Sequence, residues 1–275
     1  MIDSASRKTR FIAVASGKGG VGKTFLSLNI AVALATRGHS VWLFDGDMGL
    51  ANVHVLLGVQ PEFDISDALA GRCTLPQTLF DGPAGIKVIP GSSGKRDMAE
   101  MSALEMTQIV QALGTLTPAA DFMIIDSGAG IGKQVTTLAR LADTIVVVVR
   151  DEPASLADAY GLIKVMHQDF GSRNFEIIIN DALSMQRGQQ VFERLQEVAM
   201  RFLSLNLVLG GIVPHESDMM MITRRRETLI TAAPRSSAAA AVRQIATRFE
   251  GFKVDNENSR AFLKLVGGTA KAGSQ

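Results

Sequence analysis

The chain has 275 residues, 47% of them hydrophobic, enough to bury a large core in a single α/β domain. Its 28 basic and 27 acidic side chains leave a net charge of +1, which excludes bulk attraction to nucleic acid or anionic lipid. The lone Cys73 excludes an intrachain disulfide framework and fits a reducing compartment, so the cytoplasm is the expected location, and no run approaches the roughly 20 apolar residues of a membrane span.

Met1–Arg10 reads as a polar arm and not as a signal peptide. Short β-rich runs then recur at Phe11–Ala15, Val41–Phe44, Ile86–Ile89, Phe122–Ile125, Ile145–Val149, Phe175–Ile179 and Leu207–Val213. Most are continuously apolar, the mark of strands buried on both faces. Segments between them carry helical spacing, as at Leu26, Ile30, Val32 and Ala33, or at Leu156, Leu162, Ile163 and Val165. Turn clusters fall at Asp81–Gly85 and Pro90–Gly94. The alternation predicts an α/β fold: a doubly wound, mostly parallel sheet of seven or eight strands flanked by helices, over residues 11–250. From 251 to 275 the composition turns polar, and this appendage carries one small apolar cluster at Phe262, Leu263, Leu265 and Val266.

Between the first strand and the first helix stands Gly17-Lys18-Gly19-Gly20-Val21-Gly22-Lys23-Thr24, the GxxxxGK[ST] pattern in its required context. Glycines let backbone N–H groups turn inward around a phosphate, and the helix that begins there, with Phe25 in its first turn, adds unpaired N–H groups and the positive end of its dipole. Lys23 is expected to reach the β- and γ-phosphates and Thr24 to enter the shell of a magnesium ion, which makes a nucleoside triphosphate and Mg2+ the expected cofactors, ATP/ADP by the resemblance given below. Lys18 is an extra cation where most phosphate loops have none. Asp45, Asp47 and Asp126 end two further apolar strands, where parallel sheets bind ligands, and the strands bearing Asn180 and Pro214 end farther along. A turn role fits Asn180 or Pro214 as well as a place beside a base; the Asn180 amide can pair with adenine, whereas Pro214 can only shape a pocket.

GKGGVGKT resembles the deviant Walker A loop of the MinD/ParA superfamily. DGDMGLANVHVLLG, DISDALAGR, VIPGSSG, DSGAGIG, RDEPASLADAYGLIK and IVPHESDMMMITRRRETLITAAPRSSAA extend the resemblance to the FlhG/FleN flagellar-number regulators over about residues 10–250. The resemblance implies an ATPase whose Lys18 reaches across a homodimer to the partner subunit's nucleotide. It gives Asp126 the Walker B role at magnesium and makes Gly128, Ala129 and Gly130 a switch loop. Asp47 would position the attacking water and Asp45 would join the magnesium shell, their division of labour left open. Ser127 stands where relatives usually carry threonine. Asn180 and Pro214 would pack around adenine.

The same resemblance implies an ATP-dependent monomer–dimer switch that restrains a FleQ-like transcriptional activator and acts with the GTPase FlhF. The relatives' DQAxxLR-type helix is not visible in Met1–Arg10, which puts direct GTPase stimulation in doubt. Ser259–Val266 would form an amphipathic turn or two, docking at the inner face of the membrane, on a partner or on the domain itself. Arg224-Arg225-Arg226 reads as a solvated helix face and nucleic acid is not an expected partner, while Met219, Met220 and Met221 cannot all share one helical face. The alternative within the superfamily is a MinD/ParA-like ATPase that positions a division site or segregates DNA or other cargo. A cluster carrier would need two thiolates per subunit, which the single Cys73 does not supply, and no pocket signature of a biosynthetic ligase is visible.

Overall fold

The run opening at Arg10 becomes β1 (Arg10–Ser16), whose side chains alternate strictly between two cores: Phe11, Ala13 and Ala15 face one, Ile12 and Val14 the other. A strand buried on both faces has to lie centrally in its sheet, and β1 does. The computed structural model describes residues 9–92, 103–116 and 120–251. The arm before residue 9, residues 93 and 94 of the second turn cluster, and the appendage from 252 with its 259–266 cluster lie outside the described residues.

After β1 come α1 (Lys23–Ala35), β2 (Val41–Gly46), the short helices α2 (Val53–Leu57), α3 (Ile65–Leu69) and α4 (Leu75–Thr78), β3 (Phe80–Asp81) and β4 (Lys87–Ile89). Then follow α5 (Ala103–Leu116), β5 (Phe122–Ala129), α6 (Lys133–Ala139), β6 (Thr144–Val149), α7 (Pro153–Phe170), β7 (Phe175–Ala182) and α8 (Met185–Leu203). β8 (Val208–Pro214), α9 (Met219–Arg224), α10 (Leu229–Ala232) and α11 (Ser237–Glu250) complete the described chain.

Among the described residues the sheet has eight strands in the order β3-β4-β2-β5-β1-β6-β7-β8, all pairs parallel except β3 with β4. All seven expected strands are present. The eighth, β3, is a two-residue antiparallel edge that runs into the expected Asp81–Gly85 turn at Asp81, too short for any periodicity to register. Helices α5 to α8 cover one face and α1, α10 and α11 the other, α1 being the most enclosed. In α7 the buried stripe is Ala159, Leu162, Ile163 and Met166, with Val165 only half-buried.

The order reverses at β1, which lies between β5 and β6, so the loop leaving β1 enters a crevice at the carboxyl ends of the strands. Among the described residues no helix is long and apolar enough to cross a membrane. Of the arginine triplet only Arg224 is helical; Arg225 caps α9 and Arg226 takes φ 59°, all three exposed, so they form a helix end and not a helix face. Met219 packs against the core, while Met220 and Met221 are exposed.

Candidate active site

The phosphate loop leaves β1 under tight constraint. A Cβ at Gly17 would lie 2.1 Å from the Asp158 carbonyl oxygen, so the first glycine is required by the close approach of α7. Ser16 Oγ donates to the Lys18 carbonyl at 2.6 Å, and the Gly130 amide donates to Ser16 at 2.9 Å, tying the end of β5 to the base of the loop. At Gly22, the N-cap of α1, φ is 94° and a Cβ would stand 2.3 Å from Asn180 Nδ2. That Nδ2 donates to the Val21 carbonyl at 2.8 Å, so Asn180 props the loop from β7.

Parallel pairing sets Asp126 of β5 beside Val14 of β1 on one side and Asp45 of β2 on the other. Asp126 is buried, accepts from Ser27 Oγ at 3.0 Å and from Thr24, and lies in the field of the buried Lys23. Ser27 follows Lys23 by one helical turn on the same face of α1, a spacing the sequence offers though the loop pattern does not name it. Burial pushes the Asp126 carboxyl up; its bonds to Thr24 and Ser27 and the charge of Lys23 pull it back toward ionisation.

Asp45 is fully buried, and burial followed by the charge of Asp126 raises its carboxyl far above the usual range. Its oxygens accept three backbone amides: Asn52 at 2.8 Å, Val53 at 2.9 Å and Asp47 at 3.3 Å. Asp45 therefore shapes the loop that carries Asp47 and seats the start of α2. Asp47 is half-buried, accepts the Leu50 amide at 3.2 Å, and brings Oδ1 within 3.8 Å of where a Cβ on Gly128 would lie. The two strand-end loops thus meet at Asp47 and Gly128. Ser127 faces away from this meeting point, its Oγ donating to the Val14 carbonyl at 2.9 Å, so the hydroxyl staples β5 to β1.

The other half of the crevice is assembled from the ends of β6, β7 and β8. Asn180 lies inside β7, two residues short of its end, and Pro214 is the last residue of β8. Phe25, packed against the α1 core, lines the same space. Arg150, Asp181 and His215, which sequence reasoning does not single out, form an ionic cluster there. Lys18 pairs with Glu152 at 2.9 Å, both side chains 41% exposed, and Arg150 approaches the other oxygen of Glu152 at 3.6 Å.

These walls enclose one continuous cavity of about 750 Å3 running from Gly19–Thr24 past Asp47 to Asn180, Pro214 and Thr223. The size and the sequence of linings fit a nucleotide: an amide-rich cationic end, a carboxylate edge, then a mixed apolar and amide end. Magnesium also fits. Among the described residues no cluster of three or more acidic, His or Cys side chains could hold a metal, but magnesium in such sites keeps waters and phosphate oxygens and needs few protein ligands, and Thr24 beside Asp126 offers that set.

The model of the CobQ/CobB/MinD/ParA nucleotide-binding domain matches residues 12–234. The chain belongs to that family. As a member of this nucleotide-binding family it is a P-loop ATPase. The antiactivator FleN of Pseudomonas aeruginosa is 39% identical over 254 residues, covering 92% of this chain and 90% of FleN. The flagellum site-determining protein YlxH of Helicobacter pylori is 35% identical over 269 residues, covering 94% of this chain and 90% of YlxH. Among solved structures, the septum site-determining protein MinD of Pyrococcus horikoshii in complex with Mg-ADP superposes with a TM-score of 0.73 at 22% identity, over 88% of this chain and 96% of that one. The fold and the FlhG/FleN resemblance expected from the sequence are both borne out.

Proposed function

We propose that this chain is a slow ATPase working as a monomer–dimer switch that limits flagellar number and placement by restraining a flagellar transcriptional activator, in concert with the FlhF GTPase. The observation that carries the switch is the position of Lys18. Its ammonium is paired with Glu152, from beyond the phosphate loop, and is two-fifths exposed, so a second subunit can meet it. The flagellar assignment rests on FleN, an antiactivator, and on YlxH, each matched along nine-tenths of its length.

In this reading the amides of Gly19 to Thr24 and the Lys23 ammonium bind the β- and γ-phosphates. Thr24, with Asp126 behind it through water, would hold magnesium, which when bound offsets phosphate charge. Asp47 orients a water for in-line attack, and Asp45 keeps the Asp47 loop in place, with the charge of the leaving group offset by Lys23 and by Lys18 of the second subunit. Asn180 supplies an acceptor for the adenine amine and Pro214 shapes the pocket. Loss of the γ-phosphate removes the contacts that hold the two subunits together. A weak lipid contact through 259–266, doubled in the dimer, would place the ATP form at the inner face of the membrane. The test is a flagellar count in cells whose own copy carries Lys18→Ala: numbers rising as in a deletion support the switch, and wild-type numbers contradict it.

A further inference from the structure

We infer that Arg226 is a positioning residue for hydrolysis: its side chain, at the end of α9, clamps the end of α2 and so stations the loop that carries Asp47. The inference rests on the reading of Asp47 given above and extends that site by one residue outside the cavity lining.

The carboxyl ends of α2 and α9 are built alike. After α2 the chain turns left-handed at Gly58, φ 65°, with the Gly58 amide donating to the Val55 carbonyl at 3.1 Å and the Val59 amide to the His54 carbonyl at 2.9 Å. After α9 the same pair of bonds runs from Arg226 to Thr223 at 3.0 Å and from Glu227 to Ile222 at 3.2 Å, and the left-handed residue is Arg226, φ 59°. Glycine fills that place without steric cost, whereas a residue with a side chain is strained there. A strained residue persists where its surroundings hold it, and the Arg226 side chain lies directly on Gly58. A Cβ at Gly58 would stand 2.1 Å from Arg226 Cδ, 2.6 Å from Nε and 2.7 Å from Nη1.

The contact reaches the chemistry through α2. With five residues α2 is too short to be stable alone, and its first turn is seated by Asp45, which accepts the Asn52 and Val53 amides. Arg226 holds the other end and places a cation at a helix carboxyl end, which is the favourable sign. Asn52 and Leu56 on this side and Met219 and Thr223 of α9 line the cavity, so the clamp ties the wall beside the phosphates to the wall beside the base. Asp47 accepts the Leu50 amide at 3.2 Å, so the direction of its carboxylate follows that of the segment leading into α2.

The experiment measures steady-state ATP hydrolysis by the full chain in magnesium buffer, at a chain concentration where the wild-type rate per chain has levelled off, beside hydrogen exchange of the 47–58 amides. Arg226→Gly keeps the turn, relieves its strain and removes the clamp. Its urea midpoint should stay near that of wild type while kcat falls about fivefold, KM stays within about twofold and the 47–58 amides exchange faster. Gly58→Ala, which drives the guanidinium off from the other side, should lower kcat at least as much, and the double variant no further than Gly58→Ala alone. A wild-type kcat in Arg226→Gly, a fall without faster exchange at 47–58, or falls that multiply in the double variant overturns the clamp. A wild-type kcat in Asp47→Ala overturns the reading of Asp47 beneath it, and the inference with it.

Discussion

The two ends of the cavity are built by different physics. At the phosphate end, Lys23, Ser27, Asp45 and Asp126 are buried between central strands and α1, and most contacts run to backbone amides or across a single strand pairing. At the base end, Arg150, Asp181 and His215 remain 36%, 30% and 58% exposed, and charged side chains from three strand ends carry the contacts. The first arrangement tolerates almost no change of shape. The second is held by pairs that are individually weak, so it can be retuned without unfolding the sheet.

That contrast is broken most directly at Gly22. Any side chain there has to adopt φ 94° and displace Asn180, so Gly22→Ala should cost at least about 100-fold in ATP affinity by equilibrium titration. An affinity near wild type would mean that the phosphate end is softer than described. Next comes Asp45→Ala, which strips the acceptor from three amides in a dry site and should destabilise the chain by about 2 kcal/mol in urea unfolding. Asn180→Ala, where the two ends touch, should weaken ATP by roughly tenfold through loss of the prop under Val21, with little change in urea stability.

The smallest effect belongs to the surface cluster of Arg37, His39 and Glu250, far from the crevice. The hydrogen bond from Arg37 holds the Glu250 carboxyl down to about 2. A depressed carboxyl stabilises the fold above its ordinary range and loses that contribution as pH falls through the folded value. Thermal melts of Glu250→Gln should therefore lie slightly below wild type near neutral pH, with the gap closing between about pH 4 and pH 2. A gap that widens on acidification would reverse the sign.

The phosphate end was legible in the sequence for the same reason that it is rigid. Gly17 to Thr24 is one contiguous segment between a strand and a helix, and Asp45 and Asp126 end apolar runs whose burial on both faces places them centrally in a parallel sheet. The resemblance to flagellar regulators was legible too, since the string matches spread over most of the chain and FleN and YlxH are each matched along 90% of their lengths. The base end was hidden because Arg150, Asp181 and His215 are separated by more than thirty residues at each step and meet only where β6, β7 and β8 lie side by side. Nor does any spacing announce that Asp181 takes a left-handed turn, or that Asp45 is used up by amides. β3 escaped for want of length.

The central claim, that ATP closes two copies of this chain and hydrolysis parts them, is tested most directly with Asp47→Ala, which keeps the phosphate loop and removes the carboxylate that would orient water. Light scattering after size exclusion in magnesium should give twice the monomer mass with ATP and the monomer mass with ADP. The same mass with both nucleotides would contradict the switch and leave an ATPase without one.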